Sequence, residues 1–599
     1  MILLPPALVK SFKAFSSVDN QSFADIKLFR FCNLKEQSIL MRVLFEKIRY
    51  TFFRFPFLLY LLLFLLYFSL EYLLLATPWF GSDELDVMIA GRDMVDGYQL
   101  YTDYSSQHMP ITYYMSAFFA SLGARTVSLQ RICFFIFYAL MWTLMVFFYG
   151  KTEKKRAVAL FPILFIFVSC SYDFGTSILS EQIAGIGFSF LFLEFLQFYR
   201  TREIRLRNYI MISLSVLLTF GTMFISAFGL FVIAVAVLIL EIYWEIRKKE
   251  SFIRWLLRML KRYLLLVFAI LVPWIIMVIY YAANNMLGMV FFSTYTYNRD
   301  IYSKYNGSFG SDIGAAVKDG FLSIFRNLSQ DARTLMNPES RIDFARAGFF
   351  IMLFILLICF LIYAAIRISL FVSIVSFLFL VALSVRGVMF LNSFHSGTPY
   401  MVLCLFAALF FGNTVFVRWK QKKAFAVVLR VASILSIAYM AVFYVRLADL
   451  VAPWHKQGDV AAAEAIAALT DKGEPVWNNT FMIDLNMNAD RPMIWNVGIT
   501  PWGWEAMADE VFPIIKENRP KVIVFDYNHG FWVYTLDDYG QELIDYVNDN
   551  YKNLPSRYVR DYTPKVADSI SKGYRYYPSY IYVRNDYYDE AVRKLEAGK

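Results

Sequence analysis

The chain has 599 residues, 58% hydrophobic, 19% aromatic and 18% charged, with a mean hydropathy of +0.48. That balance excludes a water-soluble globular protein, whose apolar share is roughly 45–50%, and a disordered chain, which lacks apolar surface to bury. A net charge of +10 leaves the question of nucleic acid to where the charges sit, while five cysteines and four histidines argue against a disulfide framework or a polyhistidine metal site.

Residues 1–52 read as a cytoplasmic N-terminal segment. Met1–Leu4 followed by Pro5-Pro6 has neither the basic start nor the apolar core of a signal peptide. Met41 opens a basic-then-apolar run, so a start at Met41 and an amphipathic extension from Met1 both stand. Apolar runs of transmembrane length then follow at 53–76, 131–149, 157–170, 181–199, 264–282, 347–366, 368–385, 399–416 and 424–447. The stretch 208–243 is too long for one crossing and carries Phe220-Gly221-Thr222 midway, which predicts two crossings joined by a tight turn. The shorter run 110–123, opening at Pro110, predicts an interfacial helix. The result is a polytopic α-helical membrane protein with about eleven transmembrane helices between residues 53 and 447.

The basic clusters orient it. Arg42 to Arg54, Lys151 to Arg156, Arg200 to Arg207, Arg247 to Arg262 and Arg418 to Lys423 all fall on one side, as the positive-inside rule requires with a cytoplasmic N-terminus. They are topology signals in a lipid bilayer, so no nucleic acid is expected. Outer loops follow at 77–130, 283–346 and 386–398. An odd number of crossings leaves 448–599 extracytoplasmic, and this tail alternates like an α/β domain. Helices are predicted at Asp459–Leu469, Glu505–Asn518 with Pro520 as stop, and Gln541–Asn550; strands at Glu474–Asn478, Lys521–Asp526 and Tyr580–Arg584.

The first outer loop, FGSDELDVMIAGRDMVDGYQLYTDYSSQHMP over 80–110, sets six carboxylates around Arg92. Leu85, Met88, Ile89 and Val95 share one helical face, predicting an amphipathic helix on the membrane surface that Asp96-Gly97 ends. Acids in a first turn complement the helix dipole, which suffices for Asp86. Asp83 and Glu84 belong to a larger pattern. Arg92 has two readings, a phosphate contact or a partner for Asp96 one turn on.

The string Asp83-Glu84, Ala90-Gly91-Arg92, Asp96-Gly97, Tyr101-x-Asp103 and His108-x-Pro110 resembles the first outer loop of bacterial GT-C glycosyltransferases. The similar branches are the protein mannosyltransferase-like (glycosyltransferase family 39-like) and aminoarabinose transferase-like enzymes. His108-Met109-Pro110 has one proline fewer than the family's turn. Tyr295-Thr296-Tyr297-Asn298 with Tyr302 resembles the family's second large outer loop, and Arg386 through His395 to Pro399-Tyr400 its late one. The resemblance implies a GT-C-like fold with an extracytoplasmic C-terminal domain in a cell membrane. It also implies an inverting transfer of a hexose or pentose from a polyprenyl phosphate or diphosphate to an outer hydroxyl on a glycan, lipid or protein. Asp83 would be the general base, with Glu84 orienting substrate or assisting a divalent metal, the one cofactor left open. Asp103, His108, Arg92, Tyr297, Asn298, Arg386 and His395 would bind substrate, the Arg386 guanidinium suiting a phosphate better than a lysine. Interfacial snorkelling at Arg386 and a structural hydrogen bond at His395 are the plain alternatives.

An envelope polysaccharide polymerase or ligase would share the lipid-linked donor without needing the Asp-Glu loop. A transporter would place its charged or broken segments near the bilayer middle, whereas here the carboxylates gather in outer loops.

Overall fold

A computed structural model describes residues 82–104, 106–150, 178–248, 252–306, 313–337, 341–384, 397–410, 413, 459–480, 484–493, 500–527, 530–531, 534–555 and 580–597. The expected crossings 53–76, 157–170 and 424–447 lie outside these residues, as do Arg386, His395 and the alternative starts.

The helical part runs in chain order through α1 (Ser82–Val95), α2 (Ile111–Ser121), α3 (Val127–Tyr149), α4 (Ser180–Thr201), α5 (Leu206–Phe220), α6 (Ala227–Lys248) and α7 (Phe252–Ala283). It continues with α8 (Ile313–Met336), α9 (Arg341–Arg367), α10 (Leu370–Leu383) and α11 (Gly397–Phe410). Among the described residues, four stretches are long and apolar enough to cross a membrane: Val127–Tyr149, Ser180–Thr201, Phe224–Arg247 and Ile253–Ala283. The chain breaks after Phe220, with a 3₁₀ turn at Phe224–Ser226 before α6. At 11 residues, α2 is about 17 Å long and too short for a roughly 30 Å hydrocarbon core.

Helix α4 forms the centre. Its residues from Ser180 to Leu196 are buried on every side, against α5 and α11. Gly187 permits this, because a Cβ there would meet Thr219 Cγ2 at 2.7 Å and the Ser215 carbonyl oxygen at 2.9 Å. Such close backbone approach through small residues is how helices associate where lipid removes the hydrophobic drive. By contrast the apolar window of α7 holds no fully buried residue, though the helix packs along α5 and Tyr281 near its end is buried against Tyr101.

The stretch 283–346, read in sequence as one long loop, is instead largely helical. Leu287–Asn306 coils through two π-helical turns, Phe292–Thr296 and Asn298–Tyr302, and α8 fills Ile313–Met336. Polar residues spaced among apolar ones mask a helix from a reading based on hydropathy alone.

The C-terminal part holds α12 (Asp459–Leu469), β1 (Trp477–Asn478), α13 (Asp484–Asn488), α14 (Pro501–Asn518), β2 (Val522–Val524), a β3–β4 hairpin (Gly530–Phe531, Tyr534–Thr535), α15 (Gln541–Asn550), β5 (Tyr551–Asn553), β6 (Ile581–Arg584) and α16 (Tyr588–Ala597). The main sheet has order β1-β2-β6-β5; β1 is parallel to β2, and the other pairs are antiparallel. Strand alternation sends Val522 and Val524 to one core with Ile466 and Val583, and Ile523 to another with Trp477, Ile515 and Leu543. Helix α14 begins four residues before the expected Glu505, capped by Thr500.

Candidate functional site

Helix α1 presents its acids to three different surroundings. Asp83 is half-buried at its first turn. Glu84 beside it is fully buried and faces α3, where Arg131 donates Nε to Oε1 at 3.0 Å and its Nη2 to Oε2. The Ile178 backbone N–H, just before α4, also donates to Oε1 at 3.0 Å. Asp86 accepts from the Tyr104 hydroxyl at 2.8 Å and the Tyr113 hydroxyl at 2.6 Å, one on each carboxylate oxygen. Its role therefore exceeds the dipole complement expected from sequence.

The loop after α1 is fixed by the same groups. Gly97 takes φ +104°, which ends the helix where Asp96-Gly97 marks it. Ser106 Oγ donates to the Tyr113 hydroxyl at 2.7 Å and accepts the His108 N–H at 3.1 Å, and the Tyr101 hydroxyl donates to the His108 carbonyl at 2.8 Å. Asn298 Nδ2 donates to the Gln107 carbonyl at 2.8 Å, so the π-helical segment lies against the His108 turn. Burial pushes the phenols of Tyr101, Tyr104 and Tyr113 well up, with the Asp86 charge adding to the rise at the latter two. They stay neutral donors.

On its far side α1 meets the C-terminal part. Arg92 donates Nε to Asp93 Oδ1 at 3.0 Å, Nη1 to the carbonyls of Asn486 and Met487 at 3.0 and 3.5 Å, and Nη2 to that of Arg491 at 2.6 Å. Asp93 accepts the Met493 N–H at 3.1 Å, and burial pushes its carboxyl up to about 6 even with Arg92 beside it. Asp96 pairs with Arg125, at 3.0 and 2.5 Å.

No family model matches the chain, and no curated protein matches it either. Among solved structures it is similar to ArnT from Cupriavidus metallidurans bound to undecaprenyl phosphate, with a TM-score of 0.51 and 13% identity, over 78% of this chain and 92% of that one. The likeness is one of fold. The apo form of the same enzyme superposes with a TM-score of 0.47 at 13% identity, over 73% of this chain and 85% of that one.

Of the expected site residues, Asn298 lies against the His108 turn, while Arg92 and Glu84 are enclosed by protein partners. Arg92 is 1% exposed, with its donors spent on Asp93 and three carbonyls, so neither a phosphate nor Asp96 is its partner. Asp103 is exposed and accepts the Gln99 N–H at 2.8 Å, closing its own turn. Glu84 is enclosed by Arg131 and Ile178, a helix anchor in place of a substrate or metal contact. Nor is α1 a surface amphipath. Its polar residues turn inward to partners, while Val95, counted on the apolar face, is 42% exposed. Tyr297 is buried and shares a hydrogen bond with the Thr500 side chain, its phenol pushed up chiefly by burial. Among the described residues no three His, Cys, Asp or Glu side chains converge on a metal position.

Sequence reasoning missed Arg131, Tyr104, Tyr113 and Ser106. For Arg131 a signal existed, since an ionisable residue at the mouth of an apolar run needs a partner.

Proposed function

We propose that the chain is a membrane glycosyltransferase. It moves a sugar from a polyprenyl phosphate or diphosphate to an acceptor hydroxyl on the outer face, in the cell membrane with its N-terminus in the cytoplasm. The observation that carries this reading is the fold shared over 92% of ArnT, a protein whose structure holds undecaprenyl phosphate, together with Asp83 at the opening of α1. The acceptor oxygen attacks the anomeric carbon from the face opposite the phosphate, so the configuration inverts. Asp83 takes the hydroxyl proton as the C–O bond forms, and the electron pair of the breaking bond leaves with the phosphate. Its neighbours Glu84 and Asp86 hold Arg131 and two tyrosines, so they fix the helix turn on which Asp83 stands. General-base help of this kind is worth roughly 10²–10⁴-fold. The proposed phosphate contacts are Arg386 and His395, with His108 near the acceptor.

The test uses the purified chain in liposomes with radiolabelled hexosyl and pentosyl undecaprenyl phosphates. Asp83→Asn keeps the side-chain volume and should cut transfer by about 10²–10⁴-fold, with undecaprenyl phosphate binding intact. Label that crosses the vesicle without leaving its lipid would identify a transporter instead.

A further inference from the structure

Arg92 and Asp93 are 1% exposed each and form a buried ion pair, yet neither lies among the residues assigned to the reaction. Their remaining valences cross to the C-terminal part. The Arg92 guanidinium reaches the carbonyls of Asn486 and Met487 at the C-terminal end of α13, and that of Arg491 just beyond. A cation there complements the unsatisfied carbonyls that end a helix. Asp93 returns one acceptor to the Met493 N–H. Nearer solvent, Arg125 spans Asp96 of the helix end and Asp490 of the same C-terminal turn, the latter at 3.4 Å.

We propose that Arg92 is a positioning residue for Asp83: through it the α13 turn sets the orientation of α1, and the C-terminal part is thereby required for turnover. This rests on the reading of Asp83 as the base. Arg92 follows Asp83 by nine residues on one continuous helix, about 13 Å along its axis. The Glu84–Arg131 fork holds one end of α1 and the Arg92 fork the other, so α1 is clamped at two points. Five guanidinium donors in a fixed plane can read several carbonyls at once, which an ammonium cannot. Loosening that end tilts the helix about its anchor at Glu84. Displacements near 1 Å at reacting groups cost about 10²-fold in rate.

The experiment measures transfer per bound lipid, with undecaprenyl phosphate binding as the count of competent protein. Arg92→Lys keeps the charge and loses carbonyl contacts, so turnover per bound lipid should fall at least about tenfold while lipid affinity holds. Arg125→Glu reverses a partly exposed charge. It should lower turnover severalfold and recover as salt screens the new repulsion, a direction a folding defect does not take. Should Arg92→Lys fail to fold, the Arg125→Glu salt series decides alone. Unchanged turnover per bound lipid overturns the inference. So does a fall in which affinity and turnover drop together. Asp83→Asn runs alongside: if it transfers normally, the general-base reading fails and takes this one with it. Loss at Asp83 with full turnover in the Arg92 and Arg125 variants removes only the positioning role.

Discussion

Replacing Glu84 by Gln separates a helix anchor from a substrate contact. The change keeps the shape and removes the charge. Arg131, 2% exposed, is then left facing a neutral amide. Removing one partner of a buried ion pair costs about 3–5 kcal/mol, because the surviving charge stays desolvated. The Ile178 N–H keeps an acceptor in the amide oxygen, but the amide NH2 then faces Arg131 Nη2, donor against donor, which adds to the loss. Arg131→Met leaves the Glu84 carboxylate in the same position and should cost a similar amount. The double variant has no stranded charge, so it should be less destabilised than the sum of the singles by about 2–3 kcal/mol. Denaturant unfolding in micelles measures all four corners of this cycle. Transfer per bound undecaprenyl phosphate is measured in parallel, and in folded Glu84→Gln it should stay within a few-fold of wild type. Additive costs would refute the ion-pair reasoning, and a stable but inactive Glu84→Gln would return Glu84 to the substrate.

Three further outcomes follow from the same geometry. Asp86→Asn has one oxygen to offer two tyrosine hydroxyls, so it should lose about 1–3 kcal/mol, and Tyr104→Phe in that background should recover part of it; equal stability to wild type would sink the assignment. Gly91→Ala would set a Cβ 2.2 Å from Ser116 Oγ and 2.6 Å from the Ala117 nitrogen, an overpacking worth about 1–3 kcal/mol that Ser116→Ala should relieve only in part, as melting temperatures would read. Burial pushes the Asp93 carboxyl up from its ordinary 3.8 to about 6, so the folded protein takes up a proton as pH falls through 6. Its contribution to stability therefore rises down to about pH 4, and wild type should gain in melting temperature on Asp93→Asn between pH 7 and 5; a shift the other way contradicts the burial argument.

Sequence periodicity reads what is local. The cores of α3, α4 and α6 follow from apolar runs, and α12 and α15 match their expected bounds because Ala-rich and Leu/Ile/Val spacing is unambiguous. The stop at Gly97 and the end of α14 before Pro520 follow from backbone chemistry that any chain must obey. What stayed hidden is partnership. Glu84 finds Arg131 47 residues on, and Arg92 finds carbonyls nearly 400 residues away. No i,i+4 rule reaches that far, so sequence offers Arg92 only a phosphate or Asp96, and sets the helix on a membrane surface instead of against the C-terminal part. The lesson for acidic loops is that a carboxylate's neighbours in sequence say where it starts, and its partners in space say what is left for it to do.

Helix α7 has a consequence of another kind. Its apolar stretch holds no fully buried residue, yet one side of it is half-buried, where Ser213 Oγ donates to the Ala269 carbonyl at 2.7 Å and Trp274 meets the Phe220 ring. Its first three turns carry Arg254, Arg258, Lys261 and Arg262, the last paired with Glu241. The run from Tyr263 to Ala283 is about 31 Å long, close to the roughly 30 Å of hydrocarbon in an ordinary bilayer. The helix thus acts as a plumb line. In a bilayer of that thickness its length would set the depth of the bundle. Bilayers thinner than this run would tilt it, and everything carried on its outer end would tilt as well.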